Sequence, residues 1–365
     1  MSAEASEARP TDDEGRPIKA VAMVSGGLDS TIAARLIAGM GIEVHGVNFS
    51  TGFCLTDHHR AMARHHAGPP EESRRLRNEA LRAGADVKIP VRVVDVAEEY
   101  LQTVVIEPKY GRGQGMNPCI DCRIFMLRRA RAMMEDLEAH FVFTGEVLGQ
   151  RPMSQHMQAL QLIEERAGLE GLLLRPLSAK FLDPTIPEQE GWVDREQLLD
   201  IQGRGRKTQI ALADAYGIDD YPQPAGGCCF LPDPNFAERL QDVFEHTGDR
   251  SALTREELIL LKVGRHFRFP GGIKVVVGRD APENAFLKGF KAERYALQVT
   301  GFGSPLTLVD LGADEQTLLT AASLTARYSQ GRGEDRVTVR IQGPEGERLA
   351  EVEPLDLYEA EPWMV

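Results

Sequence analysis

Short apolar runs alternate with helical patterns along the first part of the chain. The runs predict strands at 18–24, 43–51, 87–96 and 140–147, and the stretches between them predict helices at 30–40, 72–84, 97–105 and 123–138. Such alternation is typical of βαβ units, in which helices cover both faces of a parallel sheet. Ligands of these folds bind at the carboxyl ends of the strands. The first domain is therefore expected to be α/β, with a ligand site at one edge of its sheet.

The pattern changes twice further along the chain. Proline-rich segments interrupt it after about residue 150, and helices are predicted at 194–201 and 207–216, separated by the basic stretch 203–207. From about 250, strands are predicted at 267–269, 273–278, 295–299, 306–309 and 336–341, with a helix at 314–327. The predicted parts are a disordered leader (1–17), an α/β domain (18–180), a helical extension (181–250) and an α+β domain (251–365).

Length, composition and charge exclude several classes of protein. A chain of 365 residues is too long for one ordinary core, and its 42% hydrophobic content is normal for a globular protein. No apolar run reaches the roughly 18–20 residues that span a bilayer. The acidic N-terminus does not resemble a signal peptide, so the protein is expected to be cytoplasmic. A net charge of −13 argues against indiscriminate binding of nucleic acid but leaves local basic patches available for RNA.

The most informative motif is SGGLDS at 25–30, between the first predicted strand and the first helix. Glycines allow a close backbone approach to a ligand, and a helix N-terminus attracts anions. The motif is not a Walker loop, because no Gly-Lys-Ser or Gly-Lys-Thr follows. We expect the nucleotide site to use residues of this turn and of two neighbouring strand ends, namely Ser25, Gly26, Gly27, Asp29, Ser30, Asn48, Ser50, Thr144 and Gly145. Asp29 is expected to orient the loop or a bound metal.

Five cysteines form the second chemical signal. Cys119 and Cys122 make a CxxC motif just before a predicted helix, Cys228 and Cys229 are adjacent, and Cys54 stands alone. A thiolate at a helix N-terminus is stabilised by the helix dipole, and Arg123 is expected to add to this effect. The cysteines have four alternative functions: a purely structural role, a zinc site, a redox or persulfide-bearing pair, or an iron–sulfur cluster. Zinc is disfavoured because a vicinal pair rarely gives both sulfurs to one ion, whereas three thiolates (Cys119, Cys122 and Cys228) suit a [4Fe–4S] cluster with one open iron.

SGGLDS in its strand–loop–helix setting resembles the PP-loop of the ATP-pyrophosphatase family, whose members cut ATP between the α and β phosphates. Residues 18–235 are similar to the PP-loop tRNA thiolases of the 2-thiouridylase and 4-thiouridine synthetase branches. In the 2-thiouridylases, an NPxxxCN stretch and a later GxCF segment carry two catalytic cysteines, which correspond here to Cys122 and Cys229. The additional Cys119 and Cys228 are similar to the cysteines of cluster-dependent thiolases. They leave open which of Cys228 and Cys229 is catalytic.

The last part of the chain, about 255–365, resembles the RNA-binding module of the NFACT family. The resemblance is carried by residues 272–284 (GIKVVVGRDAPEN) and the following Phe-Leu-Lys. We expect a phosphate-contacting face made by six basic residues: Arg265, Arg268, Lys274, Arg279, Lys288 and Lys291. An accessory domain for stability or dimerisation is the alternative.

Together these resemblances imply an ATP-dependent tRNA sulfurtransferase. It would adenylate a uridine or cytidine carbonyl and replace the oxygen by sulfur, using ATP, Mg²⁺ and either a [4Fe–4S] cluster or a cysteine persulfide. Its partners would be tRNA or another structured RNA and a sulfur donor such as sulfide, a cysteine desulfurase or a sulfur carrier. Binding to a membrane is not expected. The oligomeric state stays open, and a homodimer is one alternative. The alternatives are a PP-loop synthetase or amidotransferase that adenylates a small carboxylate, and a non-catalytic RNA-binding factor regulated by ATP.

An insertion between the second and third predicted strands carries four histidines, at 58, 59, 65 and 66. A solvated loop, a metal site and an RNA-contacting loop are alternative interpretations. Adjacent histidines without carboxylate or cysteine spacing are weak indicators of a metal.

Overall fold

The computed structural model describes residues 9–55, 58, 59, 62, 78–222 and 228–365. The chain divides into two compact units. The first contains the described residues up to 55 and from 78 to 229, and the second contains 58, 59, 62 and 230–365. The four-part division expected from the sequence, with a separate extension over 181–250, stays a prediction.

The first unit is built around a five-stranded parallel sheet with the order β3-β2-β1-β4-β5. Its strands are β1 (Lys19–Met23), β2 (Glu43–Ser50), β3 (Val91–Asp95), β4 (Phe141–Thr144) and β5 (Leu173–Leu174). The central strand β1 is apolar and buried because sheet neighbours flank it on both sides and helices cover its faces. The parallel sheet predicted from the sequence is confirmed, and the short edge strand β5 is an addition to it.

Seven α-helices are described in this unit. They are α1 (Leu28–Gly39), α2 (Glu79–Val87), α3 (Ala97–Tyr100), α4 (Cys119–Asp136), α5 (Met157–Ala167), α6 (Ile186–Gln189) and α7 (Lys207–Tyr216). A turn of π-helix, Leu101–Val105, continues α3, and short 3₁₀ turns lie at Ala179–Phe181 and Arg195–Gln197. The predicted helix at 207–216 is confirmed. At 194–201 only the 3₁₀ turn forms, and α5 was not predicted.

Part of the predicted disordered leader is folded. Thr11 and Pro17 form an antiparallel bridge, and the backbone N–H of Ile18 donates to the carbonyl of Pro10. The carboxylate of Asp12 receives hydrogen bonds from Arg16 and lies 3.3 Å from His140. The prediction of disorder was wrong for this stretch, because tertiary contacts order a segment whose composition alone disfavours a core. Residues 1–8 lie outside the described residues.

The second unit contains an antiparallel sheet of six strands in the order β11-β10-β8-β9-β7-β6. These are β6 (Arg265–Arg268), β7 (Lys274–Val277), β8 (Arg294–Val299), β9 (Thr307–Asp310), β10 (Val337–Gly343) and β11 (Gly346–Val352). Its helices are α8 (Pro234–His246), α9 (Arg255–Leu260), α10 (Ala281–Leu287), α11 (Glu315–Arg327) and α12 (Leu357–Ala360), with 3₁₀ turns at Arg250–Ala252, Pro270–Gly272, Lys288–Glu293 and Glu361–Trp363. One apolar cluster includes α11 and one sheet face, and a second includes α10.

The fold class inferred from the sequence is confirmed: a Rossmann-like α/β domain is followed by a separate α+β domain. Helix α8 belongs to the second unit. Within the described part of the chain, no helix is long and apolar enough to cross a membrane.

Candidate active site

The SGGLDS turn joins β1 to α1, as the sequence predicts. Gly26 has a φ of +81°, and a Cβ placed on it would lie 2.4 Å from the backbone carbon of Glu79 at the start of α2. The guanidinium of Arg82 also donates a 2.9 Å hydrogen bond to the Gly26 carbonyl. Only glycine satisfies both the left-handed conformation and the close approach of α2.

The hydroxyl groups of the turn hold its shape. The Oγ atoms of Ser25 and Ser30 lie 3.2 Å apart, and Ser30 donates to the carbonyl of Gly27 over 2.9 Å. Gly27 is the N-cap residue of α1 and has no side chain to cap the helix. The N–H groups of the first helical turn are thus left for another acceptor, an arrangement that suits phosphate.

Asp29 lies in the first turn of α1 and is half-buried. Its Oδ2 accepts a 3.0 Å hydrogen bond from the side-chain amide of Gln150, whereas its Oδ1 is buried and has no hydrogen-bond partner among the described residues. Gln150 was not identified from the sequence, since it lies in an irregular segment without a motif. It fixes one carboxylate oxygen and leaves the other for a ligand.

The neighbouring strand ends lie beside this turn, as predicted. A Cβ on Gly145 would lie 2.5 Å from the backbone nitrogen of Ser30, so the chain after β4 packs directly against the start of α1. Asn48 and Thr144 have internal partners: Asn48 donates to the Val24 carbonyl over 2.9 Å, and Thr144 donates to Glu146 over 3.2 Å. Ser50 ends β2, and its carbonyl accepts from the N–H of Val96. Direct contact of these residues with a nucleotide stays a prediction.

A buried carboxylate, Glu146, links this edge of the sheet to the cysteines. Its two oxygens lie 3.4 Å from Nε of Arg123 and 3.3 Å from Nε of Arg175. Arg175 is anchored further by a 2.7 Å ion pair with Glu164. The ion pair with Glu146 holds Arg123 in place. From there its charge acts to lower the pKa values of the Cys119 and Cys122 thiols, against the effect of burial. The sequence identified Arg123 but not its buried counter-ion.

Cys119 and Cys122 occupy the first residues of α4. The thiol of Cys119 donates to Oδ1 of Asn117 over 3.0 Å, and Cys122 is hydrogen-bonded by the hydroxyl of Tyr100. Burial raises the pKa of Cys119, and it raises the pKa of Cys122 to about 12 despite the nearby Arg123. The expectation that these two thiols ionise readily was wrong, because loss of hydration outweighs the helix dipole and the guanidinium.

The adjacent pair behaves differently. A hydrogen bond from Cys229 lowers the pKa of Cys228 to about 5; partial loss of hydration of the thiol opposes this shift, and the guanidinium groups of Arg151 and Arg123 add to it. Cys228 is exposed and Cys229 is half-buried. The lowered pKa favours the thiolate of Cys228, with Cys229 as its hydrogen-bond partner.

The structure does not support the metal site predicted at Cys119, Cys122 and Cys228. Their charges are close enough to influence one another. Yet within the described ranges no three His, Cys, Asp or Glu side chains are grouped so that they could hold a metal ion. The described residues therefore give no support to a [4Fe–4S] cluster at these thiols. His58 and His59 belong to the second unit, and His65 and His66 lie outside the described residues.

A basic segment lies at the same edge of the first sheet. The N–H of Gly203 donates a 2.7 Å hydrogen bond to the carbonyl of Leu148, two residues before Gln150. Arg206 follows as the N-cap residue of α7, and its Nε is buried with no hydrogen-bond partner in the described part of the chain. Gln209, in the first turn of α7, is fully buried, and both of its amide atoms also lack a described partner. The guanidinium of Arg206 and the amide N–H of Gln209 are donors that could bind an anion.

The expected phosphate face of the second unit is only partly available. Arg268 and Lys274 both bind the carboxylate of Asp242 on α8, the lysine over 3.1 Å, and Lys274 is buried. Arg279 pairs with Glu283. Three of the six predicted residues are therefore held in ion pairs within the unit. Arg265 stacks its guanidinium on the ring of Tyr328, and Lys288 is exposed.

Comparisons with known proteins agree with both resemblances found in the sequence. A family model described as the tRNA methyl transferase HUP domain matches residues 18–166, and one described as the NFACT protein RNA binding domain matches residues 264–364. A solved 4-thiouridine synthetase–RNA complex with bound ATP is 20% identical and covers 55% of this chain and 53% of its own, with a TM-score of 0.31.

Two curated relatives carry the same name. The tRNA-specific 2-thiouridylase MnmA of Nitrobacter winogradskyi is 31% identical over 235 residues, which are 62% of this chain and 54% of that protein. The tRNA-specific 2-thiouridylase MnmA of Syntrophotalea carbinolica is 36% identical over 344 residues, which are 88% of this chain and 90% of that protein. On the strength of this similarity along almost its whole length, the chain belongs to the tRNA-specific 2-thiouridylase MnmA family.

Proposed function

We propose that this protein uses ATP to activate a carbonyl oxygen of a tRNA uridine and then replaces that oxygen by sulfur. One observation carries the proposal: the segment 145–151 lies beside the SGGLDS turn at one end and near Cys228 at the other. Gly145 and Gln150 lie against the start of α1, and Arg151 lies close enough for its charge to lower the pKa of Cys228. A phosphate-binding turn and a thiolate are thus joined by seven consecutive residues.

The triphosphate of ATP would bind at the N-terminus of α1. The uncapped N–H groups of its first turn supply donors, and Gly26 and Gly27 allow a close backbone approach. Asp29 fits a Mg²⁺ ion, because its Oδ1 is buried and has no hydrogen-bond partner among the residues that the structure describes, while Oδ2 is fixed by Gln150. When bound there, the ion would neutralise phosphate charge.

Arg206 and Gln209 would form a second set of phosphate contacts. Helix α7 packs against α1, with the guanidinium of Arg35 6.0 Å from the ring centre of Tyr216. The start of α7 is held near Gln150 by the bond between Gly203 and Leu148. An anion at this place would bind buried polar groups that have no hydrogen-bond partner in the described ranges.

Activation precedes sulfur transfer in the proposed reaction. The base oxygen attacks the α-phosphate, pyrophosphate leaves, and the oxygen becomes part of a good leaving group, AMP. Donors of the SGGLDS turn stabilise the charge that grows on the phosphate oxygens. A base paired or stacked in tRNA must be turned outward to reach this site.

The sulfur is proposed to arrive as a persulfide on the Cys228–Cys229 pair. The lowered pKa of Cys228 favours its thiolate, and this exposed residue is accessible to a sulfur donor, whereas the pKa of the half-buried Cys122 is raised to about 12. We assign the persulfide that reacts to Cys229, the position that the family motif marks. An iron–sulfur route has no support in the donor set, because the three candidate thiols do not form a metal-binding group among the described residues.

The decisive experiment compares tRNA nucleosides by mass spectrometry in cells with and without the gene. One thionucleoside is expected to disappear on deletion and to return with the wild-type gene but not with an Asp29→Asn variant. An unchanged set of thionucleosides would overturn the proposal. In vitro, Arg206→Ala should slow AMP formation far more than Arg204→Ala, an exposed arginine of the same segment.

A further inference from the structure

Arg123 has no contact with a substrate in the reaction proposed above. It lies in the first turns of α4, directly after Cys122. The NPxxxCN stretch of the 2-thiouridylases has an asparagine at this position, so the cation is a departure of this chain from that motif. The side chain of Arg123 is 25% exposed, which leaves it within reach of a ligand.

The guanidinium of Arg123 is held through one of its nitrogens. Its Nε lies 3.4 Å from Oε1 of Glu146, a buried carboxylate. The other oxygen of Glu146 accepts a 3.2 Å hydrogen bond from the hydroxyl of Thr144 and lies 3.3 Å from Nε of Arg175, which itself pairs with Glu164. Among the described residues, the two Nη groups of Arg123 have no hydrogen-bond partner. They are donors that an anion can use.

On one side, Arg123 is linked to the phosphate-binding turn. Glu146 directly follows Gly145 in the chain. A Cβ on Gly145 would lie 2.5 Å from the backbone nitrogen of Ser30, so the residue before Glu146 touches the start of α1. The carboxylate that holds Arg123 is thus anchored beside the SGGLDS turn.

On the other side, Arg123 lies near the thiols. Cys119 precedes it by four residues on α4, so the two side chains share one face of the helix. The charge of Arg123 also adds to the hydrogen bond from Cys229 in lowering the pKa of Cys228. Arg123 is therefore a cation between the phosphate-binding turn and the cysteines.

The proposed chemistry places the α-phosphate in the same position. The base oxygen attacks this phosphate, and sulfur later displaces it as part of AMP. The α-phosphate must then lie between the turn that binds the triphosphate and the cysteine that carries the sulfur. A guanidinium suits this phosphate, because its parallel N–H groups donate to two oxygens at once.

We propose that Arg123 binds the α-phosphate of ATP, and then of the adenylated base, through its two Nη groups. This inference rests on the proposed function. As sulfur bonds to the base carbon, the C–O bond breaks and its electron pair stays on the oxygen of AMP. The guanidinium stabilises the negative charge that AMP gains in this step. Glu146 is the positioning residue that keeps Arg123 in place.

The test compares the binding of AMP and adenosine to the full-length protein by isothermal titration calorimetry, without tRNA or sulfur. Wild type should bind AMP more tightly than adenosine. Arg123→Gln should lower the affinity for AMP by about 10- to 150-fold, the value of a hydrogen bond to a charged group. Its affinity for adenosine should stay that of wild type, which also shows that the site is folded. Arg131→Gln, at an exposed position of α4, is the matched control and should bind both as wild type does.

The ratio of the two affinities separates phosphate binding from a structural role. An unchanged ratio in Arg123→Gln would overturn the proposal while the proposed function stands. If this variant does not fold, Arg123→Lys decides, since lysine keeps the charge but cannot donate to two oxygens in parallel. A lowered ratio in Arg123→Lys supports the proposal, and an unchanged one overturns it. Wild-type protein that binds neither AMP nor ATP would overturn the proposed function as well.

Discussion

The side-chain amide of Gln150 donates a 3.0 Å hydrogen bond to Oδ2 of Asp29, and Oδ1 of the same carboxylate is buried with no described partner. The two residues are separated by 121 positions in the sequence. A carboxylate held by one oxygen has a fixed orientation, which is what a group that positions a metal or a phosphate requires. We therefore propose that Gln150 positions the Asp29 carboxylate within the SGGLDS turn.

Replacing Gln150 by alanine should slow AMP formation without unfolding the protein. A hydrogen bond to a charged group contributes about 1.5–3 kcal/mol, so a loss of roughly 10- to 150-fold is expected. The measurement is AMP release from labelled ATP in the presence of tRNA. Gln158→Ala, an exposed glutamine on α5, is the matched control. Equal rates for the two variants would show that Asp29 does not depend on Gln150.

The two glycines of the turn should respond differently to alanine. Gly26 has a positive φ and no room for a Cβ beside Glu79, whereas Gly27 has a φ of −78° and its Cβ would be 3.4 Å from the Ser25 hydroxyl. Gly26→Ala is expected to lower the melting temperature and abolish AMP formation, since strain of this kind costs about 1–3 kcal/mol before the clash is added. Gly27→Ala should keep the melting temperature of wild type. A stable, active Gly26→Ala protein would contradict the geometry of the turn.

Local signals explain why much of the α/β fold was predictable. Buried, β-branched strands such as β1 alternate with helices that have clear boundaries, and two glycines mark the turn between β1 and α1. The elements that were not predicted from the sequence also have physical reasons for escaping notice. Strand β5 is only two residues long, and β11 alternates charged residues with few apolar ones because it lies at the edge of its sheet. Helix α8 begins with a good N-cap residue, Asp233. The sequence before it is rich in turn-forming residues, so the start of the helix was not recognised from the sequence.

The chemistry of the site was less predictable than its motif. SGGLDS is local, so the sequence identified it, but the contact between Gln150 and Asp29 depends on the folded chain. The pKa of Cys122 was misjudged for the same reason. Its position at a helix start favours the thiolate, and only the structure shows the burial that outweighs this effect.

Two basic residues of the second unit that were expected to contact RNA, Arg268 and Lys274, are instead paired with Asp242. Burial opposes ionisation of Asp242, but hydrogen bonds from Arg268 and Lys274 outweigh it, so the pKa of this carboxyl is lowered. Its stabilising contribution is therefore present above the ordinary carboxyl pKa of about 4 and is lost as the pH falls through the lower, folded value. Acid should loosen this part of the unit.

Asp242→Asn should destabilise the unit at neutral pH by about 3–5 kcal/mol, because it leaves the buried Lys274 and the half-buried Arg268 without this counter-ion. Hydrogen exchange of β6, β7 and α8 in the full-length protein measures this effect. The variant should also lose the acid-dependent loosening that wild type shows below about pH 4. Asp335→Asn, at an exposed position, is the control. If exchange in β6 and β7 were unchanged by Asp242→Asn, the pairs would not hold these elements together.

The lowered pKa of Cys228 leads to a prediction about pH dependence. With a pKa lowered to about 5, Cys228 is a thiolate throughout the neutral range. Its rate of alkylation by iodoacetamide should therefore be nearly constant from about pH 6 to 8, whereas an ordinary thiol reacts about tenfold faster for each added pH unit in this range. Peptide mass spectrometry after short pulses of the reagent gives the rate for each cysteine separately.

Variants at Cys229 identify the cause of the lowered pKa. Cys229→Ala removes the hydrogen bond that contributes most, so alkylation of Cys228 should become pH-dependent. Cys229→Ser keeps a donor and should preserve much of the flat profile. Arg151 and Arg123 remain in both variants and supply the rest of the effect. A Cys228 rate that rises tenfold per pH unit in the wild type would show that the pair holds no thiolate, and the persulfide would then have to be carried by another cysteine.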